Sequence, residues 1–347
     1  MAGILVRIFM FLLGFLPLFG DVTSEKGEAL EELIQPYQIP MVVKTGFYLL
    51  DLISINEHDQ TFKADVYFSF SWKDPRLMFT GEKEQIYAED AAKEKLSTIW
   101  WPDPEFINTG AKDITNETLY IYPDGRVEYV LGFASDFWTA FDYRRFPFDL
   151  QNLKIVLSSF IWNKDWLVFT SDPSELDYSK SEAITFKEKA VQKIDVEILN
   201  EKRGFEPDTY STFVATISVK RNPAFYLYQV FVPNFIVLLV AYCIFFINPK
   251  EFASRLTIGL TSLLVFTATK FVIDRDLPRL GYITLLDKLF FIFYFCGVIT
   301  VIVSLIERIM MERKHPTAKK IDKYARIYVP ILFIILFVVF FFTASGS

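Results

Sequence analysis

The residues that could carry chemistry in this 347-residue chain are few, and the placing of the scarce ones excludes most catalysis. Its two histidines, His58 and His315, stand far apart in polar segments, and its two cysteines, Cys243 and Cys296, each sit inside a long apolar run. A zinc site needs His and Cys at ligand spacing, and an activated nucleophile needs a base beside it, so both readings lose their candidates. The cysteines read as small buried side chains rather than a disulfide or a metal site. We therefore expect no enzyme, no metal and no cofactor. What remains is a stripe. Thr257, Thr261, Leu264, Ala268 and Phe271 recur at spacings of four, three, four and three, which sets them on one helix face. If copies ring an axis, the threonine hydroxyls replace part of an ion's hydration shell, while Leu264 and Phe271 form apolar constrictions that close by dewetting. Any buried transmembrane helix carries such a stripe, so packing is the equal alternative. Glu251 and Arg255 stand just before it. A ring of the carboxylates attracts cations and a ring of the guanidiniums opposes them, unless both are interfacial anchors. Lys270, inside the same run, must snorkel outward or point between helices.

Elements able to position such a stripe follow from composition. The chain is 52% hydrophobic, more than a soluble core needs, so part of it lives in lipid. Apolar runs predict four helices over about 226–247, 255–273, 285–307 and 325–343, each near the length that crosses about 30 Å of hydrocarbon, in a pore domain of residues 222–347. Between the third and fourth lie Arg308, Arg313, Lys314, Lys319, Lys320 and Lys323, whereas Asp274, Arg275, Asp276 and Arg279 nearly balance after the second. The positive-inside rule puts the basic connection in the cytoplasm. Arg7 precedes an apolar stretch over 8–19 and the chain turns acidic at Asp21, a signal-peptide pattern over 1–20, with a short N-terminal anchor as the alternative. With the signal removed and an even number of spans, both ends face outward from a multi-pass protein of the plasma (inner) membrane. The formal net charge of −6, without a Lys/Arg block interleaved with aromatics, argues against a nucleic-acid partner.

Residues 21–221 read differently. After a short surface helix predicted over 25–34, Phe62, Ala64, Val66, Phe68, Phe70 and Trp72 alternate with Lys63, Asp65, Tyr67, Ser69 and Ser71, a strand with one buried face. Similar segments recur over 47–55, 118–122, 127–133, 153–159, 194–199 and 211–220, and Pro123-Asp124-Gly125 supplies a tight turn. About ten short strands without helix-length periodicity predict an extracellular all-β, immunoglobulin-like sandwich.

Four separated motifs now resemble one family, the pentameric ligand-gated ion channels that include acetylcholine and glycine receptors and prokaryotic relatives. Phe146-Pro147-Phe148-Asp149-x-Gln151, preceded by Asp142, resembles the family's signature loop; Thr139 and Leu153 stand where animal members carry the loop cysteines, as in prokaryotic members. Trp100-Trp101-Pro102-Asp103, then Arg221-x-Pro223 with Pro233 in the first span, then the stripe ending at Leu277-Pro278 follow the family's motifs in order over nearly the whole chain after residue 40. The resemblance implies a homopentamer in the lipid bilayer, four further copies joining each chain around a pore for permeant ions, gated by a small-molecule agonist or by protons. Cation selectivity follows from Glu251 and family habit. It also implies that Asp149 and Arg221 pair at the domain junction, where Glu57 in the turn Asn56-Glu57-His58-Asp59, with Asp142, Phe146 and Pro147, meets the loop from Asp274 to Tyr282 that contains Pro278.

The family's ligand pocket lies between subunits. Matching positions are Tyr67, Phe160 and Tyr210, with Phe106, Trp162 and Phe205 nearby. Such a cage favours an amine through cation–π attraction of roughly 0.5–2 kcal/mol per ring, although Phe160 and Ile107 depart from the tryptophan and tyrosine of amine-binding members. Each ring is equally a candidate for the sandwich core. Extracellular carboxylates and His58 could titrate, or simply solvate the surface. The rival reading is a four-helix transporter or receptor with a secreted β-sandwich. It calls for broken helices with intramembrane acids, and a sandwich on a membrane anchor calls for one span.

Overall fold

The computed structural model describes residues 33–172, 176–178, 189–203, 208–275, 277–315 and 318–345. The predicted signal segment, most of the predicted surface helix, Phe205 and Asp276 lie outside them. Among the described residues, eleven strands build the first domain: β1 (Met41–Asn56), β2 (Thr61–Lys73), β3 (Gln85–Ala88), β4 (Pro104–Phe106), β5 (Asp113–Ile121), β6 (Arg126–Trp138), β7 (Leu150–Ser159), β8 (Leu167–Thr170), β9 (Leu176–Tyr178), β10 (Lys189–Arg203) and β11 (Asp208–Arg221). Seven form one sheet in the order β3-β5-β6-β2-β1-β8, with β9 also on β1, and four form the second in the order β10-β11-β7-β4. The sandwich matches the sequence reading. Its short strands β3, β4, β8 and β9 escape that reading because three or four residues cannot display an alternation.

Alternation decides the packing. On β2, Phe62, Val66, Phe68 and Phe70 point inward and are buried, while Tyr67 lies on the outward face. Phe68 stands 5.0 Å from Phe47 and 4.8 Å from Phe106 between ring centroids, a tilted and an edge-on contact. Each such side chain contributes roughly 1.5–3 kcal/mol on burial. Gly125, at φ +79°, closes the β5–β6 turn in a conformation few other residues adopt. A seven-residue helix, α1 (Asp90–Leu96), departs from the all-strand expectation; two turns are too few to print a helical period.

On the outward face, Asp51 and Asp65 are direct cross-strand partners, and each leaves a buried carboxylate oxygen without a hydrogen bond. Burial raises the Asp65 pKa, and the charges of Asp51 and Asp113 raise it further. An acid whose folded pKa is raised binds its proton more tightly folded than unfolded. It therefore destabilises the fold at neutral pH, and that loss disappears as pH falls through the raised value. Asp65→Asn should raise the Tm of purified protein at neutral pH, with the gain shrinking as the medium is acidified; a gain independent of pH would contradict this.

Four long apolar helices follow: α2 (Ala224–Phe246), α3 (Phe252–Asp274), α4 (Leu285–Glu312) and α5 (Ala318–Ser345). Helix α2 widens to a π turn over Leu227–Phe231 just before Pro233, which lacks the donor to continue a regular ladder. Thr284 and Asp287 cap α4 reciprocally. Gly259 of α3 faces Val301 of α4, and Gly297 of α4 faces Leu263 of α3 so closely that a Cβ would meet it at 2.8 Å. Small residues let these two helices approach.

Candidate functional site

The end of β11 delivers Arg221 to the boundary between sandwich and helices, and the loop after β6 brings Asp149 to meet it. Arg221 Nε and Nη2 donate to the two Asp149 oxygens at 2.7 and 3.2 Å, and Nη1 lies 2.8 Å from Glu57 Oε1. Both members of the first pair are buried. Burial opposes the guanidinium charge, but the Asp149 hydrogen bonds and the Glu57 charge more than offset it and hold its pKa above the ordinary arginine value. Its plane stacks over the Phe146 ring at 4.7 Å. Gln151 Nε2 donates to Asp149 at 2.5 Å and to the Asp142 carbonyl at 2.8 Å, so one amide ties both acids of the loop together.

The same loop grips the helices. The amide N–H groups of Leu285 and Leu286 in the first turn of α4 donate to the carbonyls of Arg144 and Phe146 at 2.9 and 3.1 Å, satisfying donors that a helix start otherwise leaves open. Phe146 packs edge-on against Tyr226 of α2 at 4.8 Å. Tyr143 donates through its hydroxyl to the Glu57 carbonyl and through its amide N–H to the Tyr282 hydroxyl oxygen, both at 2.9 Å. Glu57 thus reaches the α3–α4 connection through Tyr143. Pro278 lines a cleft of about 330 Å³ there, with Lys270, Asp274, Arg279, Tyr282 and Asp287. Lys270 points between helices, bonded to Asp274 and at 2.7 Å from Asp287.

On α3, Thr257, Thr261, Leu264, Ala268 and Phe271 are all exposed in the single subunit, Leu264 and Phe271 at 68% each. The opposite face, Arg255, Gly259, Ser262, Phe266 and Ile273, is buried against the bundle. Glu251 is exposed at the helix start. Arg255 corrects the sequence expectation: it is 1% exposed and points away from the stripe. Its Nη1 lies 2.6 Å from Glu307 and 3.0 Å from Asp322, its Nη2 2.6 Å from Asp322, and it also bonds the Ile247 carbonyl. A guanidinium with two buried acids to satisfy cannot also face a pore mouth.

The aromatic set divides. Phe106 is corrected to a core residue, 5% exposed and edge-on to Phe68 and Phe133 at 4.8 Å each. Phe160 is 57% exposed after β7, and Tyr210 is half-buried near the start of β11. Trp162, beside Phe160, packs on Trp100 and Trp166 and donates to the Trp101 carbonyl at 3.1 Å. Tyr67 belongs to the other sheet and faces away from the core, so one subunit does not gather it with Phe160 and Tyr210.

The family profile described as neurotransmitter-gated ion-channel ligand binding domain matches residues 25–223, more than half of the chain. The chain belongs to the pentameric ligand-gated ion channel family. It is 25% identical to the proton-gated ion channel of Gloeobacter violaceus over 88% of this chain and 84% of that one. It is 22% identical to the gamma-aminobutyric acid receptor subunit beta-4 of Gallus gallus over 78% of this chain, and 27% identical to the glycine receptor subunit beta of Rattus norvegicus over 72%. The chain spans 57% and 51% of those two animal subunits. These relatives are ion channels rather than enzymes. As a member of this channel family with four candidate membrane spans, the chain is a multi-pass membrane protein with its sandwich outside the cell.

For a subunit of such a channel, Glu307 and Asp322 are the residues that sequence reasoning missed. The signal was partly present: one acid near the connected ends of each of two apolar spans demands a partner, and Arg255 was one of several cations at that end.

Proposed function

We propose that five copies of this chain surround an ion pathway lined by α3, that the pathway passes cations, and that an extracellular ligand or protons open it. The observation that carries this reading is the split of α3 into two faces. One face is packed into the bundle, while the threonine–leucine–phenylalanine stripe is exposed among the described residues of the single subunit. Lining an axis would give that stripe its environment: hydroxyls toward the cytoplasmic end, and Leu264 and Phe271 as rings that exclude water when narrow. Selectivity for cations is supported by Arg255 being turned inward, which removes one cation from the start of α3 and leaves Glu251 exposed there beside Lys250.

The agonist reading rests on Phe160, Tyr210 and Tyr67, which two neighbouring subunits could bring together around an amine. Gating by protons is supported by the Gloeobacter relative, a proton-gated channel by name, and by the Asp51–Asp65 pair. Through the junction, motion of the sandwich would reach α4 by the Leu285 and Leu286 hydrogen bonds and α2 by Phe146.

Leu264→Ser tests the pathway. A polar ring at this apolar level should raise unstimulated current in reconstituted bilayers by about tenfold or more, since each lost leucine burial is worth roughly 1.5–3 kcal/mol and about 1.4 kcal/mol already gives a factor of ten. Unchanged basal current would remove Leu264 from the gate. In asymmetric NaCl the same currents should reverse toward the sodium potential; reversal toward the chloride potential would overturn the selectivity.

A further inference from the structure

Lys270 stands inside the apolar run of α3, where a charge is costly unless it is paired. Its side chain is 20% exposed and reaches between α3 and α4, bonded to Asp274 on its own helix and 2.7 Å from Asp287 Oδ1 on α4. Asp287 is itself held in place. Its Oδ2 accepts hydrogen bonds from the Thr284 amide and hydroxyl, each at 2.8 Å, as part of the cap of α4. One carboxylate thus serves two helices. The neighbouring amides of Leu285 and Leu286 donate to the Arg144 and Phe146 carbonyls, so Asp287 belongs to the turn of α4 that the sandwich grips.

What else holds α3 decides how much this pair matters. The inner half of the helix is packed into the bundle at Arg255, Gly259, Ser262 and Phe266, the last stacked on Phe293 at 5.4 Å. Over residues 267–274, about two turns, Ile273 is the one buried side chain among the described residues. An apolar contact is non-directional, so one isoleucine keeps the outer turns near α4 without fixing their rotation. A charged hydrogen bond to a capped carboxylate has a direction. Phe271 follows Lys270 by one residue, about 100° of helix, and a turn of that size would carry its ring off the stripe. We propose that Lys270 is a positioning residue: its pair with Asp287 fixes the rotation of the outer turns of α3, keeps Phe271 in the stripe, and joins α3 to the turn of α4 that the sandwich holds. This role rests on the reading of α3 as the lining of the pathway.

Single cysteines test it in the full chain, reconstituted in lipid vesicles with Cys243→Ala to remove the exposed native thiol. The readout is the rate of labelling by an uncharged hydrophilic maleimide, which does not respond to the lysine charge itself. With Lys270 present, Phe271→Cys should label, and Ile273→Cys and Phe266→Cys should stay nearly unlabelled. Lys270→Gln should raise the Ile273→Cys rate by roughly tenfold or more and leave Phe266→Cys as it was. Lys270→Arg keeps a cation within reach of both acids and should keep the parental pattern. Because Lys270→Gln strands two acids, the companion variant Lys270→Gln with Asp274→Asn and Asp287→Asn removes the tie without leaving an unpaired charge, and it should show the same rise. An unchanged Ile273→Cys rate in the companion variant, or an equal rise at Phe266→Cys, would overturn the positioning role and leave the pathway reading standing. An unlabelled Phe271→Cys beside an intact Lys270 would overturn the pathway reading and this role with it.

Discussion

Arg221→Gln is expected to leave almost no assembled receptor. The glutamine is uncharged and has two N–H donors on one nitrogen, whereas Arg221 brings a charge and serves Asp149 twice and Glu57 once in a buried setting. Two acids then face each other without a counter-charge, and breaking a buried pair in this way costs about 3–5 kcal/mol. A folded domain holds only about 5–15 kcal/mol in total. The stacking of the guanidinium on Phe146 disappears as well, and with it part of the seat for Tyr226 of α2. Size-exclusion profiles and Tm of the purified protein measure the loss. Adding Asp149→Asn and Glu57→Gln to the same chain should recover much of the assembly, because no buried charge is then unpaired, without recovering gating. A single Arg221→Gln variant with parental Tm would show that the junction does not rest on this cation.

Arg255→Gln should be comparably damaging, at the opposite end of the helices. Glu307 and Asp322 converge on that one guanidinium from α4 and α5, so its removal again strands two buried acids for a loss of about 3–5 kcal/mol. Glu307→Gln with Asp322→Asn in the same background should restore stability. The experiment also separates two roles for the arginine. If Arg255 stood in a ring at the pore mouth, the variant would shift reversal potentials and leave Tm unchanged; that outcome would reverse the placement given above.

Arg255 also shows what the sequence could and could not tell. It precedes Thr257 by two residues, about 200° around a helix, so the spacing that assembled the stripe already turned Arg255 to the other side. Its partners were harder to read. Glu307 and Asp322 lie 52 and 67 residues away, and only the packing of α4 and α5 on α3 brings them together. The sandwich was legible because β2 alternates over its whole length, and the spans because hydropathy needs no partner. Phe106 was ambiguous for a simple reason: β4 has three residues, too few to declare an inward face. The Asp149–Arg221 pair came from resemblance to a family, since nothing in the local pattern of either segment points at the other. Tyr67, Phe160 and Tyr210 remain apart for a different reason. Tyr67 stands on one sheet of the subunit and the other two belong to the second, and an interface between copies is not written in the periodicity of a single chain.

The central claim is that water, not lipid or protein, meets the α3 stripe. With Cys243 replaced by alanine to remove the exposed native thiol, single cysteines at Thr261, Leu264, Ala268 and Phe271 and, for contrast, at Ser262 and Phe266 can be exposed to a charged, membrane-impermeant thiol reagent while current is recorded. The account predicts rapid modification and altered current at the four stripe positions and none at the two buried ones. Unreactive stripe positions, or equal reactivity on both faces, would contradict it.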